Sequence, residues 1–206
     1  MRFIIARHAE TIYNAGARMQ GNGAHTPLTR AGIVQAEAMG AALAEHLRGA
    51  PDIDIWASPA GRTLQTVSII AEHLGRDFFD VRTDPRLLEI DVGDWAGRLY
   101  ADVVAEQGAI MCPDRRVFTA KPPAGEWYPA IATRLRSWLD DLDQARNVVV
   151  ISHGLALRVL RGMLSGGEVF EGVPLAKEGS QGSIFEIDNG EQRELYLGKG
   201  QRFEAA

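Results

Sequence analysis

The fold of this chain is decided by the stretch Phe3-Ile4-Ile5-Ala6-Arg7-His8-Ala9-Glu10-Thr11. Four apolar residues end abruptly in an arginine, a histidine and a glutamate. This pattern is typical of a buried parallel strand whose carboxyl end opens into a loop. Open α/β sheets bind their ligands at that edge. The stretch therefore makes Arg7 and His8 candidate functional residues, although such a pair is also common in surface ion pairs.

Composition limits the classes of function that fit the chain. Its 206 residues suffice for a single domain with a substantial core, and its net charge of -5 argues against nucleic acid as a partner. The single cysteine, Cys112, excludes an internal disulfide and a multi-cysteine metal cage and fits a reducing compartment. No stretch approaches the about 18 apolar residues of a membrane span, and the N-terminal apolar run is too short for a secretory signal. We expect a cytoplasmic protein with no membrane partner.

The order of the remaining patterns predicts an α/β fold. Further strands are predicted at residues 53–57, 78–82 and 148–151. Helices are predicted at residues 30–47, 59–74, 100–107, 125–143 and 155–164. Thr29 is a predicted N-cap with Ile33 on the buried stripe, and Ser58 is a predicted N-cap with Pro59 at the first helical position. A C-terminal hairpin is predicted over residues 183–187 and 195–197, with an Asn-Gly turn.

Three of the predicted apolar strands end in charged or ionisable side chains. The run Val148-Val149-Val150-Ile151 is followed by Ser152-His153-Gly154, which repeats the layout at His8. Arg62 lies in the first turn of the helix after the second strand, where a cation opposes the helix macrodipole. A bound anion explains that placement better than folding does, and an arginine projecting into solvent is the alternative. If the strands are parallel neighbours, the side chains of Arg7, His8, Arg62 and His153 converge.

An acidic loop adds a carboxylic acid to this group. Glu89, Asp91 and Asp94 lie within six positions, and their mutual repulsion could keep a proton on one of them near neutrality. Such a group suits a general acid, and Glu89 is our candidate. For Asp91 and Asp94 we favour simple solvation.

Residues 98–124 are less regular and are our candidate for a lid inserted in a single domain of residues 1–206. Arg115, Arg116 and Lys121 in this segment could bind a second negative group of a substrate, although solvation is the favoured interpretation. The glycine-rich loop over residues 11–26 is expected to line the pocket mouth.

Five motifs in this order resemble the histidine phosphatase superfamily, the phosphoglycerate mutase-like group. They are Arg7-His8-Ala9-Glu10-Thr11 with Asn14, residues 58–66 (SPAGRTLQT), residues 88–97 (LEIDVGDWAG), residues 122–126 (PPAGE) and Ser152-His153-Gly154. The resemblance implies a three-layer α/β/α sandwich whose mostly parallel central sheet has an antiparallel edge.

The resemblance also implies a function. His8 would attack the phosphorus of a monoester and form a phosphohistidine, while Arg7, Arg62 and His153 hold the non-bridging oxygens. Glu89 would donate a proton to the leaving group and then activate water. Asn14 would donate a hydrogen bond to the phosphoryl group. The activity implied is metal-independent hydrolysis of a small phosphorylated metabolite, with no cofactor.

Three departures from the family pattern and two alternatives accompany this interpretation. Ala9 stands where the family usually has glycine, so strain is expected if the backbone there needs a positive φ. His25 stands where an aspartate is common, and Trp127 replaces a common serine. A phosphomutase of the same superfamily and a non-catalytic phospho-ligand-binding protein remain alternatives, and no motif specifies the substrate or the oligomeric state.

Overall fold

The apolar runs form the strands of a central sheet. The structure is a computed structural model, and it describes residues 1–49, 53–196 and 198. The strands are β1 (Arg2–Arg7), β2 (Ile53–Ala57), β3 (Arg82–Thr83), β4 (Met111–Cys112), β5 (Val117–Phe118), β6 (Asn147–Ser152), β7 (Glu168–Phe170), β8 (Val173–Leu175), β9 (Ile184–Asp188) and β10 (Glu191–Tyr196). The helices are α1 (Ile12–Ala15), α2 (Arg30–His46), α3 (Gly61–Leu74), α4 (Tyr100–Gln107), α5 (Tyr128–Asp140) and α6 (Gly154–Ser165).

The central sheet has six strands in the order β10-β9-β1-β6-β2-β3. Strands β1, β6, β2 and β3 are mutually parallel, whereas β9 is antiparallel to β1 and β10 is antiparallel to β9. The predicted parallel sheet with an antiparallel edge is confirmed. In the register of β1 and β6, Arg7 lies opposite Ser152, so the two histidine-bearing loops leave the sheet side by side.

Two hydrophobic clusters cover the two faces of this sheet. Phe3 and Ile5 of β1 belong to the cluster that contains α5 and α6, whereas Ile4 and Ala6 belong to the cluster that contains α2 and α3. Successive residues of a strand point to opposite faces, so one apolar run supplies both cores. The fold is therefore the expected three-layer α/β/α sandwich.

Helix α2 begins at the predicted N-cap but buries a different stripe. The Thr29 Oγ1 accepts a hydrogen bond from the Gly32 N–H, whereas Ile33 is 46% exposed. A Cβ added at Gly40 would lie 2.5 Å from the His73 ring of α3, so glycine permits this close approach of the two helices. The buried stripe consists of Gly32, Ala36, Met39, Gly40 and Leu43. The prediction that Ile33 is buried is wrong, because the close contact of Gly40 with His73 sets which face of α2 is buried.

Two further helix starts and one strand differ from the predictions. Helix α3 begins at Gly61 after Ala60, without a side-chain cap, and Ser58 Oγ accepts from the Ala60 N–H at 3.4 Å and lies 2.7 Å from His153 Nε2. Helix α5 begins at Tyr128, because the Glu126 N–H instead donates to the Asp91 carbonyl. Residues Phe78–Asp80 form a 3-10 turn capped by the Asp77 side chain, so only the short β3 follows.

The segment predicted as a lid forms regular secondary structure, although its sequence pattern is irregular. Helix α4 has the predicted bounds, and the β4–β5 hairpin follows it. Four apolar side chains of the segment are buried in the main core: Val103, Ile110, Val117 and Phe118. The segment thus packs on the domain as a structured element.

The C-terminal hairpin forms through the predicted turn, where Asn189 and Gly190 have φ values of 50° and 82°. Two positive φ values suit a two-residue hairpin loop. Leu197, part of the predicted second strand, lies outside the described residues. A second hairpin, β7–β8, was not predicted. Within the described ranges, no helix has both the length and the apolar character needed to cross a membrane.

Candidate active site

The two histidines predicted to converge do so at the carboxyl ends of β1 and β6. The His8 N–H donates to the Ser152 carbonyl at 3.0 Å. The centroids of the His8 and His153 rings are 5.3 Å apart, with an interplanar angle of 64°. Both side chains are buried. The parallel register of two strands is thus what brings together residues that are far apart in the sequence.

The hydrogen bonding of His8 identifies its tautomer. His8 Nδ1 lies 2.7 Å from the carbonyl oxygen of Ala9. A carbonyl oxygen only accepts, so Nδ1 carries the proton and Nε2 keeps its lone pair. Burial, followed by the charges of Arg62 and Arg7, holds the pKa of His8 well below its usual value. His8 is therefore neutral at neutral pH, with Nε2 as the nucleophilic atom.

Arg62 is buried and donates most of its N–H groups to the protein. Burial lowers its pKa to about 10, which leaves the guanidinium charged at neutral pH. Its bonds are Nε to His153 Nδ1 at 3.1 Å, Nη1 to the Gly23 carbonyl at 2.7 Å and Thr26 Oγ1 at 3.0 Å, and Nη2 to the Gly21 carbonyl at 2.7 Å. A guanidinium has five N–H groups, so these four bonds leave one Nη2 N–H for a ligand.

His153 is held between Arg62 and Ser58. Because Arg62 Nε can only donate, His153 Nδ1 is the acceptor and Nε2 carries the proton. The Nε2–H then donates to Ser58 Oγ at 2.7 Å. Burial and the charge of Arg62 hold the pKa of His153 well below its usual value. Both ring nitrogens thus bond within the protein, and Ser58, predicted as a helix cap, is instead the partner of this histidine.

Glu89 lies at the N-terminus of α6, next to the second histidine. Its carboxylate accepts hydrogen bonds from the N–H groups of Leu155 at 3.1 Å and Ala156 at 3.0 Å, and one from its neighbour Ile90 at 3.0 Å. A helix N-terminus favours a negative group. The neighbouring Asp91 has its own donor, the Gly93 N–H. The sequence predicted repulsion among adjacent carboxylates, whereas backbone donors hold Glu89 and Asp91 separately.

Arg7 lies across the start of α6. Its Nη1 donates to the Gly179 carbonyl at 3.4 Å, and its Nε is buried with no hydrogen-bond partner in the described part of the chain. A Cβ added at Gly154 would lie 3.1 Å from Arg7 Cζ. Glycine at the first position of α6 therefore gives the guanidinium room to lie beside His153.

Asn14 lies in the short helix α1 and has its amide orientation fixed by its partners. Its Oδ1 accepts from the Thr11 N–H at 3.1 Å and from Gln181 Nε2 at 2.6 Å. Two obligate donors on one oxygen leave Nδ2 as the free donor group. Gln181 was not identified from the sequence, since no motif surrounds it. Its contacts arise because it lies just before β9, the strand that pairs with β1.

Ala9 fits its position without the expected strain. Its side chain is fully buried, and it is not among the residues with positive φ. Its N–H donates to Thr66 Oγ1 at 3.1 Å. The family glycine is therefore not needed here for its backbone freedom.

Two of the three basic residues that could bind a negative group, Arg115 and Arg116, form ion pairs within the protein. Arg115 forms an ion pair with Glu168 at 3.0 Å, and Arg116 forms one with Glu178 at 2.9 Å. Lys121 is exposed, as is His25 in the loop before α2. Trp127 is half-buried, and its Nε1 donates to Glu171.

No group of three or more His, Cys, Asp or Glu side chains within residues 1–49, 53–196 and 198 is placed to hold a metal ion. The cationic groups beside His8 are Arg7 and Arg62.

Comparison with known proteins adds independent observations. The sequence model of the protein family described as histidine phosphatase superfamily (branch 1) matches residues 3–198 of this chain. A protein of Proteus mirabilis named probable phosphoglycerate mutase GpmB is 33% identical over 169 residues, which are 78% of this chain and 73% of that protein.

Solved structures of similar fold carry phosphatase names. The mycobacterial glucosyl-3-phosphoglycerate phosphatase complexed with VO3 superposes with a TM-score of 0.77 at 27% identity, covering 94% of this chain and 96% of that one. The Escherichia coli protein described as a putative α-ribazole-5'-P phosphatase gives a TM-score of 0.71 at 26% identity, covering 99% of each chain.

Proposed function

Because the chain belongs to the histidine phosphatase superfamily, we propose that it is a metal-independent phosphomonoester hydrolase that acts through a phosphohistidine on His8. The observation that carries this proposal is the state of His8. The side chain is buried and neutral, and the hydrogen bond from Nδ1 to the Ala9 carbonyl leaves the Nε2 lone pair free. A histidine in this state is a ready nucleophile.

The first step transfers the phosphoryl group to the protein. Nε2 of His8 forms a bond to phosphorus as the bond from phosphorus to the ester oxygen breaks. Glu89, entering the step as the acid, gives its proton to the leaving oxygen. The Arg7 guanidinium, the remaining Nη2 N–H of Arg62 and the Nδ2 of Asn14 donate to the non-bridging oxygens and stabilise their charge in the transition state.

The second step returns His8 to its starting state. Glu89, now a carboxylate, takes a proton from water while the water oxygen bonds to phosphorus and the bond to Nε2 breaks. Inorganic phosphate leaves, and Glu89 holds the proton that the next cycle uses. Its position at the N-terminus of α6 suits the carboxylate form required in this step.

His153 acts in this scheme mainly through Arg62. Its Nδ1 accepts from Arg62 Nε, and its Nε2–H is anchored on Ser58. Direct donation from His153 to a phosphoryl oxygen, the role implied by the family resemblance, requires Nε2 to leave Ser58 when substrate binds. Two guanidinium groups offset the charge of the phosphoryl dianion, which is the reason for proposing a reaction without metal.

The segment 98–124 is proposed as the wall against the leaving group. The buried Arg158 of α6 donates to the carbonyls of Arg116 at 2.7 Å and Arg115 at 3.0 Å, and so fixes the turn of the β4–β5 hairpin.

The proposed substrate is a small phosphorylated metabolite, in line with the phosphatase names of the similar structures.

A phosphomutase is the second candidate, because curated relatives carry the name probable phosphoglycerate mutase. It differs in the second step, where a hydroxyl group of the substrate replaces water as the acceptor. Incubation with phosphoglycerate distinguishes the two: a hydrolase releases inorganic phosphate, whereas a mutase moves the phosphoryl group and conserves organic phosphate.

The experiment that tests the proposal is phosphate release from an aryl phosphate and from a panel of metabolite phosphates in excess chelator. His8→Ala is compared with His73→Ala, a control at a histidine of α3 that pairs with Glu37. The proposal predicts release that survives chelation, disappears in His8→Ala and persists in His73→Ala. Release that depends on added metal, or that survives in His8→Ala, would overturn it. Ligand binding without turnover would identify a non-catalytic protein.

A further inference from the structure

We propose that Gln181 is a positioning residue for phosphoryl transfer, which holds Asn14 and the Ala9 carbonyl so that the donor of Asn14 and the lone pair of His8 are presented together. This inference rests on the proposed function and deepens it. Gln181 lies outside all the motifs that carry the family resemblance.

The side-chain nitrogen of Gln181 bridges two elements of the site. Its Nε2 donates to Asn14 Oδ1 at 2.6 Å and lies 3.4 Å from the carbonyl oxygen of Ala9. The residue is 7% exposed, and its contact with Ala9 is buried whereas its contact with Asn14 is partly buried. One amide group, which has two N–H donors, thus joins helix α1 to the loop that carries His8.

The contact with Asn14 strengthens the orientation of the Asn14 amide that the Thr11 N–H favours. Asn14 Oδ1 already accepts from the Thr11 N–H at 3.1 Å. With Gln181 as a second obligate donor on the same oxygen, rotation of the amide would place Nδ2 against two N–H groups. Gln181 therefore favours the orientation in which Nδ2 is left to donate to a ligand.

The contact with Ala9 acts on the nucleophile. The Ala9 carbonyl accepts from Nδ1 of His8 at 2.7 Å, and this bond leaves Nε2 as the nucleophilic atom. A carbonyl oxygen has two lone pairs, so it can also accept from Gln181. The second bond keeps the carbonyl in the direction that His8 needs.

The loop around Gln181 has other anchors, so its side chain is not required to hold the loop. The hydroxyl of Ser183 donates to the Ser180 carbonyl at 2.6 Å, and the hydroxyl of Ser180 donates to the Gly198 carbonyl at 3.0 Å. The Ala176 N–H donates to the Arg158 carbonyl at 3.0 Å. Loss of the Gln181 amide is therefore expected to alter the site more than the fold.

The test compares Gln181→Met, which keeps the length but removes the donors, with Gln181→Glu, which places acceptors against two oxygens. Ser180→Ala is the matched control in the same loop. We expect Gln181→Met to lower kcat about fivefold to tenfold, Gln181→Glu to lower it on the order of tenfold further, and Ser180→Ala to stay near wild type. In the Asn14→Ala background the effect of Gln181→Met on kcat should shrink to about twofold, because Gln181 acts mainly by orienting Asn14.

A second readout follows the nucleophile directly. Nitrogen-15 chemical shifts of the His8 ring should report protonation at Nδ1 in the wild type and a mixture of tautomers in Gln181→Met. Unchanged kcat and tautomer in Gln181→Met, or fully additive effects with Asn14→Ala, would overturn the inference while His8-dependent hydrolysis by the wild type stands. Failure of the proposed function is distinguishable, because the wild type would then release no phosphate, or would release it only with added metal or without His8, and the positioning role would fall with it.

Discussion

Arg62 Nε donates a hydrogen bond to Nδ1 of His153 at 3.1 Å, and this contact fixes both side chains. It assigns the proton of the neutral His153 to Nε2, which then bonds to Ser58. It also sets the plane of the guanidinium, whose other bonded donors face the carbonyls of Gly21 and Gly23 and the hydroxyl of Thr26. A series of hydrogen bonds thus runs from Ser58 through His153 to Arg62, the arginine that we propose binds the phosphoryl group.

Ser58→Ala is predicted to weaken catalysis indirectly, through His153 and Arg62. The substitution removes the acceptor of a buried N–H on His153, which costs about 1–3 kcal/mol and frees the ring that orients Arg62. We expect kcat/KM to fall about tenfold or more, with a lower Tm. Ser68→Ala, a change at a hydroxyl that donates to the Gln65 carbonyl of the same helix, should leave activity unchanged. Equal activity of the two variants would contradict a role for the hydrogen bonds from Ser58 through His153 to Arg62.

Arg62→Ala is predicted to lower turnover strongly. The substitution removes a buried cation beside His8 and leaves the Gly21 and Gly23 carbonyls without their donor. Loss of a charge contact made in the transition state costs on the order of a hundredfold to a thousandfold in kcat. Arg98→Ala, at an exposed ion pair with Glu106, is the control and should be near wild type. Near wild-type turnover in Arg62→Ala would remove Arg62 from the site.

Gly154→Ala is predicted to disturb activity more than stability. The new Cβ would lie 3.1 Å from Arg7 Cζ, so the guanidinium must shift. The clash is with the end of a flexible side chain, and alanine is a better helix former than glycine. We expect kcat/KM to fall several-fold while the Tm, measured by calorimetry, stays near that of the wild type. A full loss of folding would show that the backbone, rather than Arg7, meets the new methyl group.

The two site histidines predict a definite pH dependence. Burial holds the pKa values of His8 and His153 well below 6.5, so both are neutral in the folded protein where an unfolded chain begins to protonate. The unfolded state then binds more protons, and the free energy of unfolding decreases as pH falls below about 6.5. Urea unfolding at about pH 5 and about pH 7.5 measures this difference.

The same shift applies to the nucleophile in the free protein. The kcat/KM for hydrolysis of a phosphomonoester should not fall near pH 6.5 with the titration of an ordinary histidine, because His8 stays unprotonated there. A fall in kcat/KM with an apparent pKa near the usual histidine value, in buffers of constant ionic strength, would contradict this environment for His8.

Local patterns predicted those features that depend on neighbouring residues. The apolar runs of β1 and β6 are continuous, so the sheet and the convergence of His8 with His153 could be predicted. The pattern of α4 also gave its bounds. These features need only periodicity and the rule that parallel strands present their carboxyl ends together.

Features that depend on a distant partner could not be predicted in this way. Ser58 before a proline matches a helix cap, but His153 competes for its hydroxyl group. Gln181 has no local signal of function, since its partners lie in α1 and after β1. The occupancy of three N–H groups of Arg62 likewise follows from the loop that folds over it.

The covalent state of His8 during turnover is the measurement that tests the central claim most directly. The protein is mixed with a phosphomonoester that it hydrolyses, quenched in alkali within the first turnover, and digested for peptide mass spectrometry. The account predicts an acid-labile phosphoryl group on Nε2 of His8, absent from His8→Ala and present in His73→Ala. Hydrolysis without a phosphoryl group on His8, or with one on another residue, would contradict it.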